Sequence, residues 1–215
     1  MKSFVSLRGI AAPLPIDNID TDAIIPSRET QSVARFGYGE KLFANWRYRP
    51  GTREVNPNFI LNQAPYDRAE ILVAGQNFGC GSSREAAVWS LVQFGIRCVI
   101  SESYGAIFRN NAIRNGLLPI TLAENEIKTI LEEISQLNSA NATLTADLKS
   151  CSVITSTGLV FDFQIAERDR EMLLSGADEI ELTLLRQAEI EAFREQDRRA
   201  RPWVYDALWL SGKFE

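Results

Sequence analysis

The residues of this sequence most able to do chemistry lie together in Gly75-Gln76-Asn77-Phe78-Gly79-Cys80-Gly81-Ser82-Ser83-Arg84-Glu85. Two adjacent hydroxyls and a guanidinium follow a glycine-rich turn. A guanidinium binds a carboxylate or phosphate through two parallel hydrogen bonds, and hydroxyl and backbone N–H groups add further donors. The string therefore suits an anion held by Arg84 and Ser83, with Ser82 placed to react beside it. It lacks the Gly-Lys-Ser/Thr ending of a P-loop and the wider glycine spacing of a dinucleotide fingerprint. The plainer reading of the same residues is a glycine-rich turn with a serine cap.

An anion site needs elements that aim its donors at one point. Ile71-Leu72-Val73-Ala74 is a short apolar run ending in glycine and reads as a buried strand. Ser82-x-x-Glu85 has the form of a capping box, which predicts a helix beginning within Ser82 to Glu85. The periodic run Ala86 to Phe94 continues it, and Gly95 closes it. Such a helix adds unpaired N–H groups and the positive end of its dipole to the site.

Around this unit, residues 3–12 read as a first strand, 96–101 as a buried strand and 104–111 as a short helix. Asn115-Gly116 is a turn before a strand over 117–122. This βαβαβ order predicts a parallel or mixed sheet with helices against it. Ile127, Ile130, Leu131, Ile134 and Leu137 recur at helical spacing, so 124–137 is an amphipathic helix. Residues 143–146, 151–155 and 159–163 then predict a small antiparallel meander. A helix over 166–174 ends at Gly176; a short apolar segment, 180–184, and a charged helix, 186–199, follow. The tail carries Trp203, Tyr205 and Trp209, packed on the surface or facing a partner.

Composition narrows the chemistry. The 215 residues contain no histidine, which excludes Ser-His-Asp and Cys-His catalysis, HExxH zinc sites and histidine general bases within this chain. Cys80, Cys98 and Cys151 are odd in number and unevenly spaced, so neither a disulfide framework nor Cys-x-x-Cys metal ligation is expected. Asp17, Asp20 and Asp22 resemble the start of a calcium loop but lack its sixth-position glycine and twelfth-position glutamate. Turn and cap roles suit Asp17 and Asp20. A net charge of −5 argues against nucleic acid and anionic membrane, and no apolar run spans a bilayer. Arg8 interrupts the N-terminus before a signal-peptide core can form. Residues 27–63 are polar, aromatic and arginine-rich. Phe36, Tyr38, Phe43, Trp46 and Tyr48 either anchor this long segment or form a recognition surface.

Three ordered segments carry a more specific signal: Asn18-Ile19-Asp20-Thr21-Asp22-Ala23-Ile24-Ile25-Pro26, Asn77 to Glu85, and Ile107-Phe108-Arg109-Asn110-Asn111 leading to Asn115-Gly116-Leu117-Leu118-Pro119. Together they resemble the small-subunit family of 3-isopropylmalate dehydratase, equivalent to the mobile C-terminal domain of aconitase. Weaker similarity continues through Gly176 to Leu184. The resemblance implies an α/β fold: a three-layer β/β/α swivelling domain over residues 1–200, with a substrate-recognition loop near 25–40 and a tail over 201–215. It implies a [4Fe-4S] cluster held by a separate large subunit, in a heterodimer or heterotetramer, with no metal on this chain. The cluster would polarise the hydroxyl leaving group of a 2-hydroxy dicarboxylic acid.

By resemblance, Ser82 is the base, acting as an alkoxide. Ser83 and Arg84 bind a substrate carboxylate, Asp22 is an active-site aspartate, and Arg28 lies in the recognition loop. The reaction implied is interconversion of 2-isopropylmalate and 3-isopropylmalate in leucine biosynthesis, in the cytoplasm, with neither nucleic acid nor membrane as partner. Family members commonly read Ser-Arg-Glu-His-Ala where this chain has Ser83-Arg84-Glu85-Ala86-Ala87. Two other readings follow: the same chemistry on citraconate/2-methylmalate or a dimethylmalate, and a non-catalytic carboxylate-binding module.

Overall fold

A computed structural model describes residues 1–30, 36–82, 84–136 and 142–205. In chain order, β1 (Ser6–Leu14) leads to a short helix, α1 (Thr21–Ile24), and a long irregular stretch that holds α2 (Ala44–Arg47). Next come β2 (Ile71–Ala74), α3 (Glu85–Phe94), β3 (Cys98–Ser101), α4 (Ala106–Arg114), β4 (Leu118–Thr121) and α5 (Glu124–Gln136). Then β5 (Thr143–Asp147), β6 (Ser152–Thr155), β7 (Val160–Asp162) and α6 (Glu167–Ser175) follow. These elements belong to one compact unit, Met1–Gly176. A second unit, Ala177–Glu215, contains α7 (Glu179–Leu184), α8 (Gln187–Ala200) and α9 (Pro202–Tyr205).

The seven strands form one sheet in the order β4-β3-β2-β1-β5-β6-β7. Its two halves share β1. The C-terminal part of β1, Ala11 to Leu14, runs parallel to β2, and β3 and β4 extend that parallel half. The N-terminal part, Ser6 to Ile10, pairs antiparallel with β5, from which β6 and β7 continue as the expected meander. Every residue of β2 and β3 is buried, as central strands covered on both faces require. The fold is the mixed α/β class expected from the βαβαβ order.

Some boundaries move. β1 begins later than residue 3 because Phe4 is buried by a different partner, its N–H donating to the Leu173 carbonyl at 2.8 Å. The segment 180–184 is helical, because Asp178 and Glu181 cap α7 reciprocally. Gly176 does close α6, in the left-handed conformation at φ 72°. In the long irregular stretch, Phe43 is fully buried, stacked 5.2 Å from Trp46 and edge-on to Phe59. Tyr38 packs edge-on against Trp89. These two rings anchor the stretch, whereas Phe36 is exposed. In the second unit Trp203 is exposed and Tyr205 donates to Asp197 at 2.9 Å. Leu137 and Trp209 lie outside the described residues. Among the described residues no helix is long and apolar enough to cross a membrane.

Candidate active site

Because β1, β2 and β3 are parallel, the chain leaves all three at the same edge, where open α/β sheets place their ligands. The loops that follow them are stitched together by backbone bonds. Asn18 N–H donates to Gln76 at 2.9 Å, and Gly79 N–H to Ile19 at 2.7 Å. On the other side, Phe78 N–H donates to Ser103 at 3.0 Å and Gly105 N–H to Phe78 at 2.9 Å. The glycine-rich loop is thus a pseudo-strand between two neighbours. Its positive φ angles, 57° at Asn77, 71° at Gly79 and 86° at Gly81, turn it at alternate residues. At Gly79 a Cβ would run into the Phe108 ring, so close packing as well as φ demands glycine.

Side chains brace the same loop. The buried Ser101 hydroxyl lies 2.6 Å from the Gly75 carbonyl, and Asn77 N–H donates to the Ser103 hydroxyl at 2.8 Å. The Asp17 carboxylate accepts from Gln76 N–H at 3.0 Å, a cross-loop bond in place of the local turn expected of it. Asp20 caps α1, as expected, accepting from Ala23 N–H at 2.7 Å. The Tyr104 hydroxyl sits 2.7 Å from the Val99 and Ile120 carbonyls, and burial pushes its pKa well above the usual value.

The capping box read from Ser82 and Glu85 does not form. Helix α3 begins at Glu85 itself, with Arg84 extended at the cap position and making no side-chain cap bond. The Glu85 carboxylate instead accepts from Asn115 Nδ2 at 3.0 Å, a tertiary contact with the turn after α4. Ser82 is exposed at the turn, and its carbonyl accepts from the Thr21 hydroxyl at 2.7 Å. Arg84 reaches across to Asp22 on α1 in a two-point ion pair, Nη1 to Oδ1 at 2.5 Å and Nη2 to Oδ2 at 3.2 Å. The guanidinium is largely covered and the carboxylate half exposed, with side-chain exposures of 23% and 53%.

The structure therefore brings Asp22 and Arg84 into direct contact, two residues from Ser82. Ser83 lies outside the described residues, as do residues 31–35. Arg28 takes a different place. It donates to Asn45 Oδ1 at 2.6 Å and lines an open cleft of about 780 Å³ with Glu29, Tyr48, Arg49 and Arg53. Asp22, Ser82 and Arg84 are not among that cleft's lining residues. Cys80 is a half-buried free thiol whose backbone bridges to Asp20, while burial pushes the Cys98 thiol far up. Thr21 and Ser101 escaped the sequence reading, because a threonine in a cap and a serine ending a strand look like ordinary local structure.

Among the described residues, the arrangement offers a hydroxyl, on Ser82, two positions before a guanidinium at the start of a ten-residue helix. A guanidinium has five N–H donors, more than one carboxylate accepts, so Arg84 can hold Asp22 and a substrate carboxylate together. Among the described residues no group of three or more Cys, Asp or Glu side chains is arranged to hold a metal ion.

This α/β chain, with its glycine-rich loop at the parallel edge, has relatives among known proteins. Residues 1–125 match the aconitase C-terminal domain family. The chain is 48% identical to the 3-isopropylmalate dehydratase small subunit of Cupriavidus necator, over 95% of this chain and 99% of that one. It is 47% identical to the protein of that name from Cereibacter sphaeroides, over 95% and 100%. The crystal structure of a 3-isopropylmalate dehydratase from Methanocaldococcus jannaschii matches with a TM-score of 0.61 at 25% identity, covering 88% of this chain and 99% of that one. The chain belongs to the aconitase C-terminal domain family and, within it, to the 3-isopropylmalate dehydratase small subunits.

Proposed function

We propose that this chain works as the small subunit of a 3-isopropylmalate dehydratase, a hydro-lyase interconverting 2-isopropylmalate and 3-isopropylmalate in leucine biosynthesis. The observation that carries the reading is the Asp22–Arg84 pair beside Ser82, at the edge where the parallel strands end. A large subunit would be the partner, carrying a [4Fe-4S] cluster. When bound by the partner, that cluster supplies the Lewis acidity needed for the hydroxyl to leave. Residues 1–200 act in this reading as the swivelling domain that closes over it, in the cytoplasm.

This chain's own part is to hold the substrate and move a proton. Arg84 binds one substrate carboxylate, with Ser83 beside it. Asp22 keeps the guanidinium oriented before substrate arrives, so little reorganisation remains when it binds. Ser82, as an alkoxide, takes the proton from the carbon α to a carboxylate; the electron pair forms the C=C bond as the hydroxyl departs from the neighbouring carbon. A serine hydroxyl is ordinarily far too weak an acid to supply that anion. The Arg84 cation and the N–H groups opening α3 are what stabilise it.

The test is co-expression with the large subunit, anaerobic purification, and absorbance of the alkene with isopropylmalate and citraconate side by side. Faster turnover of isopropylmalate is expected, with Ala86 a neutral variation. A preference for citraconate would retain the chemistry and overturn the substrate. An assembled complex that binds both and turns over neither would point to the carboxylate-binding module.

A further inference from the structure

We infer that Thr21 is a positioning residue for Ser82. The inference rests on Ser82 being the base, and it adds a residue to which no chemical role is assigned above. Ser82 stands on an exposed turn directly after Gly81, a residue type that leaves the backbone many conformations. A proton-transfer group loses rate steeply when displaced by about an ångström. Something must therefore hold this turn, and Thr21 touches it twice. Its N–H donates to the Cys80 carbonyl at 3.0 Å and its hydroxyl to the Ser82 carbonyl at 2.7 Å. One residue thus clamps both flanks of Gly81, fixing the φ of 86° that aims the serine.

Thr21 is itself held on several sides. It is 2% exposed, it begins α1 behind the Asp20 cap, and its carbonyl accepts from Ile25 N–H at 2.9 Å. Its β-branched side chain is stiff about χ1, so the hydroxyl is presented in a fixed direction. The next residue, Asp22, grips Arg84. Two consecutive residues of α1 therefore set the spacing between the proton-transfer hydroxyl and the carboxylate-binding guanidinium.

The experiment compares Thr21→Val, which keeps shape and loses the donor, with Thr21→Ser, which keeps the donor and loses a methyl. Both are made in the co-expressed complex, with turnover normalised to assembled complex. Thr21→Val is expected to lower kcat by about 10- to 100-fold with KM within about threefold, because substrate contacts are untouched. Thr21→Ser is expected to stay within about threefold of the parent in kcat, by the same reasoning. A smaller kcat loss in Thr21→Val, a KM change that accounts for the loss, or an equal loss in Thr21→Ser would overturn the role. Should Thr21→Val not assemble, Thr21→Cys, a poor donor of similar size, takes its place under the same limits. Ser82→Ala separates the two layers of the argument. If it retains turnover, the base assignment fails and this inference with it. If it is inactive while Thr21→Val is not impaired, only the inference fails.

Discussion

The two halves of the sheet share β1 yet treat their loops differently. In the parallel half, β1, β2 and β3 all end at one edge, and the loops leaving them meet and exchange hydrogen bonds. In the antiparallel half β5, β6 and β7 reverse one into the next through tight turns, held mainly by bonds within a few residues. At the β5–β6 turn, the Asp147 carboxylate accepts from Lys149 and Ser150 N–H groups at 2.8 and 2.9 Å. At the β6–β7 turn, Gly158 N–H donates back to Thr155 at 3.1 Å, and Glu133 braces Thr157. Parallel strands need crossovers, and crossovers bring residues distant in sequence to one edge. Hairpins connect neighbours only. Convergence of side chains from three loops is available to the first half and denied to the second.

Substitutions in each half test this contrast. Ser82→Ala in the complex should lower kcat about a thousandfold, the scale of a lost general base, while assembly is kept. A kcat near the parent's would remove the chemistry from the parallel edge. Arg84→Lys should raise KM by about 10- to 100-fold, since an ammonium cannot reproduce a two-point contact. An unchanged KM would mean that Arg84 serves Asp22 alone.

Asp22→Asn should lower turnover by about tenfold through a less well held guanidinium. It should cost stability less than about 1 kcal/mol, because the half-exposed Asp22 carboxylate leaves the pair open to screening by water. A large fall in melting temperature with unchanged turnover would reverse that assignment.

The smallest effect belongs to the other half. Asp147→Ala should lower Tm by about 2–4 °C, the effect of about 1 kcal/mol in a chain of this size, with kcat unchanged. Hydrogen bonding from the Ser150 N–H, aided by Lys149, holds the Asp147 pKa below the usual carboxylate range against the opposing effect of burial. A lowered folded-state pKa means the stabilisation is present above the unfolded value and lost as pH falls through the folded one. The parent and Asp147→Ala should therefore converge in stability in acid. A constant difference down to strongly acidic pH would show that the carboxylate charge is not what caps the turn.

Much of the first unit was legible where local rules apply. The buried run 71–74, a buried strand within 96–101, the helix closed by Gly95, the meander over 143–163 and the glycine ending α6 follow from period and turn chemistry alone. The site was legible only in part. Residue types at Ser82, Ser83 and Arg84 indicated an anion site, but Asp22 came forward only through the family motif that contains it. The capping box was misread because Ser82 and Glu85 satisfy a local pattern, whereas a tertiary partner, Asn115, takes the glutamate. Arg28 matched a recognition loop by position, yet its side chain lines a separate cleft with Arg49 and Arg53.

Short-range forces, readable along the sequence, decide which runs are buried and where glycine must turn the chain, and the absence of histidine rules out histidine chemistry within it. Only the tertiary structure decided that β1 serves two half-sheets, that Arg84 meets Asp22 across 62 positions, and that Thr21 holds Ser82 across 61. Those contacts depend on parallel strands closing long loops onto one edge. Periodicity along the chain carries no record of which distant residues that closure brings together.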